Sequence, residues 1–445
     1  MLAFWLYSYF FLEAELLFTA RIGERLSENA ATVFYGIFCF AAAAGFFMFP
    51  LVCRVFRDKR RPVIIASGGV CAVCALAAGL TQGGPLAAAT LLAMLAAGVV
   101  GASLLSAMAL DIKDKSALGL LIAVPYAAAF VLQFILKPVP PLLGRHGALF
   151  LHAAIAAAIG LSVLLSPKTA DRKARAPERP LEKTAETKRY LIGAVAAGLI
   201  VFCLYGLMDG IVMTLHAGQM LNVYGWVRLL CVPGLLFAGW VFDLRGGRFF
   251  PFACAVAMVA AVIAVFLFDT AETYNAALGS IYFFCSFMTM YSQAVFVCVP
   301  GSLRAPAFWA AAGRGLKYLA GGIFALAGSL IFTNISILLL ALIYLALLIA
   351  LFAIFFFQGK LTPEEIADAG PPPDVSFEEM TQDYGFTRRE AEVLKLLLAG
   401  QDTSDIAQTM VVTEKTVQNY VSALLSKTGA KSRLKLIAIF NRQAR

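Results

Sequence analysis

Two groups of side chains in this sequence have the types and spacing to do chemistry. The first is a set of ionisable residues inside otherwise apolar runs: Glu13, Glu15, Asp209 and Arg228. Charge held in such surroundings is costly, so each position is by default a site. Acids on two segments with one arginine would suit a polar or cationic small molecule, although Asp209 and Arg228 could equally be a structural ion pair. Glu13 and Glu15 are two residues apart, about 200° around a helix, so at most one faces a shared cavity comfortably. The second group is Lys415, Gln418, Asn419, Ser422 and Ser426, which fall on one helix face opposite the apolar stripe Val417, Val421, Leu424 and Thr428. A polar helix face of that kind, following a shorter helix and a tight turn, has the geometry that enters a DNA major groove.

The elements that carry the first group are membrane-like. The chain has 445 residues, 61% hydrophobic and 14% charged, with mean hydropathy +0.81; that is too apolar for an ordinary soluble protein. Apolar runs of about 20 residues, the span of a bilayer-crossing helix, recur through residues 1–357. They predict twelve spans: 2–20, 31–53, 62–80, 85–108, 116–136, 147–165, 190–214, 219–242, 249–268, 276–299, 312–333 and 335–357. The first has neither a basic n-region nor an A-x-A-like cleavage site, so it reads as a retained span. Basic residues gather in the even-numbered connections (Arg54, Arg57, Lys59, Arg60 and Arg61; Lys113 and Lys115; eight between Lys168 and Arg189; Arg245 and Arg248; Arg304 and Arg314). Odd-numbered connections hold mainly Arg21, Arg25, Lys137 and Arg145. The positive-inside rule then puts both termini in the cytoplasm of an inner (plasma) membrane protein.

Other polar residues in the spans have milder readings. Arg314 and Lys317, near the cytoplasmic end of span 11, read as snorkelling to the interface. His152, Gln133 and Gln293 read as interhelical hydrogen-bonding residues. All nine cysteines fall in predicted spans, which suits reduced, buried thiols. Cys71-x-x-Cys74 shares a helix face, but no His, further Cys or acid sits nearby, so no metal site and no cofactor is expected.

Residues 166–189 are polar, with Pro167, Pro177 and Pro180, and divide the spans into halves 1–165 and 190–357. Six plus six about a central cytoplasmic linker resembles the major facilitator superfamily. The stretch Gly239-Trp-Val-Phe-Asp243-Leu-Arg245-Gly246-Gly-Arg248 resembles its G-x-x-x-D-R-x-G-R loop at the first Gly, the Asp, the second Gly and the final Arg. The equivalent loop after span 2 keeps Arg60 and Arg61 but has Val52 and Phe56 where Gly and Asp are expected, a departure that bears on transport more than on fold. In this fold, spans 1 and 7 flank a central cavity, which is where the resemblance places Glu13, Glu15 and Asp209.

Residues 358–385 change composition abruptly: seven acids against Lys360, interrupted by Pro371-Pro372-Pro373. They read as an acidic, partly stiff linker, with a short helix possible at Thr362-Pro363-Glu364-Glu365. From residue 386 a small four-helix domain is expected. Thr387-x-x-Glu390 is a capping box before a helix burying Ala391, Leu394, Leu397 and Leu398. Gly400 ends it, a short helix from Thr403 to Met410 buries Ile406, Ala407 and Met410, and Thr413 caps the third. Gly429 stops that helix, and Ser432 starts a fourth with Leu434, Ile437 and Ala438. Residues 413–445 hold seven basic residues against Glu414, which suits a phosphate backbone.

This segment is similar to the LuxR-type (GerE-like) helix-turn-helix domain at Thr387, Arg389, Glu390, Glu392, Val393, Leu394, Gly400, Thr403, Ile406, Ala407, Thr413, Thr416, Val417, Lys427, Gly429, Ser432 and Arg433. The resemblance implies a transcription regulator on double-stranded DNA, usually dimeric there. It puts Gln418, Asn419 and Ser422 at base-facing positions and Thr416, Lys427 and Arg433 at phosphate contacts. Gln418 replaces a common lysine and Tyr420 the usual histidine, which bears on operator preference. The whole is an all-α protein: a polytopic twelve-helix, major-facilitator-like bundle (1–357), the linker, and a four-helix DNA-binding domain (386–445). Together the resemblances imply a membrane-tethered, ligand-responsive one-component regulator. The rival is a transporter carrying a DNA-binding appendage. No Walker A loop, H-E-x-x-H or nucleophile elbow suggests an enzyme.

Overall fold

The computed structural model describes residues 1–23, 28–55, 60–112, 115–136, 139–165, 185–217, 221–223, 225–267, 271–298, 306–334, 336–357, 384–398, 401–428, 430 and 436. The chain divides into two compact units, Met1–Asp368 and Ala369–Arg445. Among the described residues there is helix and no strand.

The first unit is built from α1 (Leu2–Gly23), α2 (Glu28–Val55), α3 (Arg60–Leu80), α4 (Gly84–Asp111), α5 (Leu118–Leu136), α6 (Val139–Leu165), α7 (Ala185–Ala217), α8 (Cys231–Asp243), α9 (Phe250–Val265), α10 (Ala271–Met290), α11 (Pro306–Asn334) and α12 (Ile337–Phe357). Each matches one apolar run of the sequence, because in hydrocarbon a helix satisfies its own backbone groups. Seven described helical segments are long and apolar enough to cross a membrane, and three more, in α3, α6 and α9, are shorter and apolar. The two remaining helices, α1 and α11, carry Glu13 and Glu15 and Arg314 and Lys317.

Two helices are irregular. A 3-10 turn, Trp226–Leu230, leads into α8 and carries Arg228. A fully buried π-helical turn, Tyr291–Val295, continues α10. There the Tyr291 hydroxyl donates to the Ala194 carbonyl at 3.0 Å, and Gln293 Nε2 donates to Thr289 O at 3.4 Å. Gln293 therefore bonds within its own helix, where interhelical bonding was expected.

The halves meet where α2 packs on α11 and α5 on α8. Small residues allow these approaches. A Cβ at Gly119 would collide with the Gly239 carbonyl, and one at Gly239 with Ala123. Inside the first half, Gly45 and Gly98 do the same for α2 against α4. Beside the Gly119–Gly239 crossing, Asp243 Oδ1 accepts from Gly119 N at 2.6 Å and Oδ2 from Leu120 N at 2.9 Å. These amides open α5, so one carboxylate from the second half caps a helix of the first. Lys115, just before α5, donates to the Val297 and Cys298 carbonyls, each at 3.4 Å.

The second unit contains α13 (Arg388–Leu398), α14 (Thr403–Met410) and α15 (Glu414–Thr428). Its core is Val393, Leu394, Leu397, Ile406, Ala407, Val417, Leu424, Ala430 and Leu436. Val393 belongs to that core although the expected stripe omitted it, and Ala391 and Leu398 are half-buried. Of the expected fourth helix only the buried Leu436 is described; Leu434, Ile437 and Ala438 lie outside the described residues, as do Gly400, Gly429, Thr362 to Glu365 and the three prolines.

Candidate functional site

In the second unit, three caps set the helix starts, that of α15 among them. Thr387 N donates to Glu390 Oε2 at 2.6 Å and Glu390 N to Thr387 Oγ1 at 3.3 Å, so the expected capping box forms. Asp402, which the sequence reading passed over, caps α14 by accepting from Ser404 N and Asp405 N, both at 2.9 Å. Thr413 Oγ1 accepts from Thr416 N at 3.3 Å at the start of α15. With that end fixed, Val417 and Leu424 turn inward, and Lys415, Gln418, Asn419, Ser422 and Ser426 all stand exposed on one face. That face therefore offers hydroxyl and amide donors and acceptors together with the Lys415 charge.

Two other candidate residues have partners within the unit. The Thr416 hydroxyl lies 2.8 Å from that of Thr413. Lys427 Nζ donates to Glu390 Oε2 at 2.7 Å and to the Gly385 carbonyl at 2.9 Å, joining the last turn of α15 to the start of the unit. Nothing in the spacing of residues 37 apart announced that pair. Lys427 keeps 35% side-chain exposure, so a phosphate contact would compete with Glu390 for it. Arg433 lies outside the described residues.

Glu390 is 6% exposed. Burial pushes its carboxyl up, but the Lys427 ammonium and the Thr387 amide and hydroxyl outweigh that and hold it below the usual carboxylate range. A depressed carboxylate contributes stability above its unfolded value and loses it as pH falls through the folded one. Amide protection of α13 and α15 should therefore weaken below about pH 4.3. In Glu390→Gln it should start lower by about 1 kcal/mol and lose that acid dependence. Hydrogen exchange across a pH series reads both, and an unchanged acid profile in the variant would count against the pair.

The turn between α14 and α15 carries strain. Val411 adopts φ 55° and ψ 48° with 89% exposure. A β-branched residue in the left-handed region costs about 1–2 kcal/mol and here has little packing to offset it. Val411→Gly should recover part of that, about 1 kcal/mol, seen as slower amide exchange in α14. No change would show that the turn is unstrained.

In the first unit the four sequence-named charges have neighbours on several helices. Glu13 accepts from Gln133 Nε2 of α5 at 2.8 Å, and Glu15 accepts from the Tyr35 hydroxyl of α2 at 2.7 Å. The two glutamates thus reach different helices, as their spacing required. Asp209 Oδ1 receives the Tyr205 hydroxyl at 3.4 Å. It lies within electrostatic reach of Glu15, Lys317 and Arg228. Glu13 is within reach of Arg228, whose guanidinium sits 5.4 Å from the Phe130 ring centroid. Asp209, Tyr35 and Tyr205 are each half-buried.

Span 11 corrects the sequence reading. Arg314 does not snorkel: it is 1% exposed and surrounded by the rings of Tyr7, Phe11, Phe46, Tyr126 and Tyr318, with centroids 5.1–5.8 Å away. Lys317 is half-buried, with its Nζ 5.6 Å from the Tyr205 ring and 5.4 Å from the Tyr318 ring. Aromatic faces, supplied to Arg314 by α1, α2, α5 and α11 and to Lys317 by α7 and α11, replace the headgroup region as partner for these cations. His152 stacks on Phe10 with centroids 4.1 Å apart. Cys71 Sγ donates to the Ala93 carbonyl at 3.6 Å. Among the described residues no three His, Cys, Asp or Glu side chains converge on a metal position.

Comparison with known proteins divides along the same line. Residues 385–440 match the family described as bacterial regulatory proteins, luxR family. This part is 34% identical over 67 residues to the uncharacterized transcriptional regulatory protein YvfU of Bacillus subtilis (strain 168), covering 15% of this chain and 34% of that protein. It is 43% identical over 51 residues to the transcriptional regulatory protein DesR (12% and 26%) and over 47 residues to the spore germination protein GerE (11% and 64%), both of the same strain. The chain thus spans about a third, a quarter and just under two thirds of these relatives' lengths. Solved structures match the rest. The human organic anion transporter MFSD10 (TETRAN) aligns with TM-score 0.57 at 16% identity, over 80% of this chain and 97% of that one. The nucleoside transporter NupG aligns with TM-score 0.52 at 16% identity, over 80% and 98%. The protein therefore joins a helical body with the fold of major-facilitator-type transporters to a C-terminal helix-turn-helix domain. That domain, residues 385–440, is similar to the luxR family of bacterial regulatory proteins.

Proposed function

We propose that this chain is a membrane-tethered, ligand-responsive one-component transcription regulator. The observation that carries the reading is the polar face of α15, with Lys415, Gln418, Asn419 and Ser422 exposed, in a chain whose other unit gathers Glu15, Lys317 and Arg228 within electrostatic reach of Asp209. In this reading residues 1–357 sense, 358–385 link, and 386–445 bind DNA, as a homodimer on its operator. Loop charge supports cytoplasmic termini and an inner-membrane body. Gln418, Asn419 and Ser422 read bases, and Lys415, Thr416, Lys427 and Arg433 hold the backbone. Glu13, Glu15, Asp209 and Arg228 surround the ligand, which shifts the halves and so biases the DNA-binding unit. No catalytic role is assigned.

The transporter fold favours one other reading, a carrier with a DNA-binding appendage. A reporter driven by the chain's own promoter region, with Asp209→Ala and Arg228→Ala, decides between them. The regulator reading expects the reporter's response to a metabolite panel to be lost in both variants with protein level unchanged. Intact response in both would remove the proposed pocket, and uptake of a labelled inducer by vesicles holding residues 1–357 would favour the carrier.

A further inference from the structure

Hydrogen-bonding capacity inside the body is unevenly used. The acids are engaged: Glu13 with Gln133, Glu15 with Tyr35, and Asp209 with Tyr205. The guanidinium of Arg314 is engaged only in part. Its Nη2 donates only at 3.4 Å to the Tyr126 hydroxyl and 3.5 Å to the Tyr318 hydroxyl, and its buried Nη1 has no hydrogen-bond partner. Among the described residues no carboxylate forms an ion pair with it. A buried guanidinium of five donors, held by rings and two long contacts, lacks the oxygen pair that its fork fits.

A second cation lies close by. Arg314 and Lys317 are three residues apart on α11, so they share a face. The Tyr318 ring stands against both, 5.8 Å from the Arg314 guanidinium and 5.4 Å from Lys317 Nζ. Lys317 in turn lies within reach of Asp209. An anion shared by the two cations displaces Tyr318 from its contacts with the Phe11 and Phe46 rings, whose centroids lie 5.0 and 6.1 Å away.

The geometry points to an anion site: Arg314 and Lys317 bind the carboxylate of a small organic monoanion whose flat apolar body lies among the surrounding rings. The proposal rests on the ligand-responsive reading and reverses the charge that the four sequence-named residues suggested. The cage walls, Phe11, Phe46, Tyr7 and Tyr126, favour a ring-bearing carboxylate over a strongly hydrated phosphate.

The test uses the purified full-length protein in detergent, its thermal midpoint followed at constant ionic strength. Sodium benzoate should raise the midpoint saturably, while benzylammonium, benzyl alcohol and inorganic phosphate should not. Arg314→Gln should abolish the benzoate shift. Lys317→Gln, at a half-buried position, should raise the half-saturating concentration about tenfold and decides the matter if Arg314→Gln does not fold. A benzoate shift undiminished in these variants, no shift with benzoate, or stabilisation by the amine would overturn the site. Benzoate binding lost in the variants but without effect on promoter occupancy supports the anion site and counts against the regulator reading instead.

Discussion

Replacing Gln418 and Asn419 together with alanine is expected to remove sequence preference while leaving general DNA affinity nearly intact. Both side chains are exposed on the outer face of α15, and neither contributes to the core of Val417, Leu424 and their neighbours, so the fold should survive. Each bidentate amide–adenine pair discriminates by about 1–3 kcal/mol. The double variant should therefore lose about 2–6 kcal/mol, enough to bring the operator close to random sequence. Lys415→Ala should behave differently: binding weakens on every sequence, and the slope of log affinity against log salt falls by about 1. Anisotropy titrations of promoter and scrambled duplexes across a salt series separate the two. An operator preference surviving in the double variant would show that other residues read the bases.

Asp243→Ala carries the second large effect, on the body. One half-buried carboxylate accepts from two backbone amides, at 2.6 and 2.9 Å, at the start of α5. Hydrogen bonds to a charged group contribute about 1.5–3 kcal/mol each, and half-exposure discounts this to about 2–4 kcal/mol for the pair. Without the carboxylate, the Gly119 and Leu120 amides lose their acceptor while the Gly119–Gly239 contact still holds the helices close. Exchange of those amides should accelerate by more than tenfold, and the body's thermal midpoint should fall. Asp243→Asn keeps one acceptor oxygen and should fall between. Unchanged exchange at both amides would mean that helix packing alone joins the halves.

Much of the fold was legible because its causes are local. Apolar runs located α1 to α12 since bilayer length sets helix length. Thr387, Glu390 and Thr413 announced helix starts because a cap acts over three residues. Less of the candidate sites was legible. Arg314 read as an interfacial cation because its cage comes from α1, α2 and α5, far away in sequence. Lys427 read as a phosphate contact, and its bond to Glu390 depends on how α13 and α15 cross. Asp243 fell in a recognisable loop, but the amides it caps belong to the other half. Contacts between distant segments leave no period to detect.

The Lys427 bonds have a mechanical consequence. One ammonium grips both the Gly385 carbonyl, where the linker joins the domain, and Glu390 on α13, so the entrance of the domain and the last turn of α15 are parts of one lever. Tension or twist applied through residue 385 must be carried by that grip or must break it. If it breaks, the ammonium is released toward solvent at the end of α15. A pull on residue 385 would thus be converted into one mobile positive charge there.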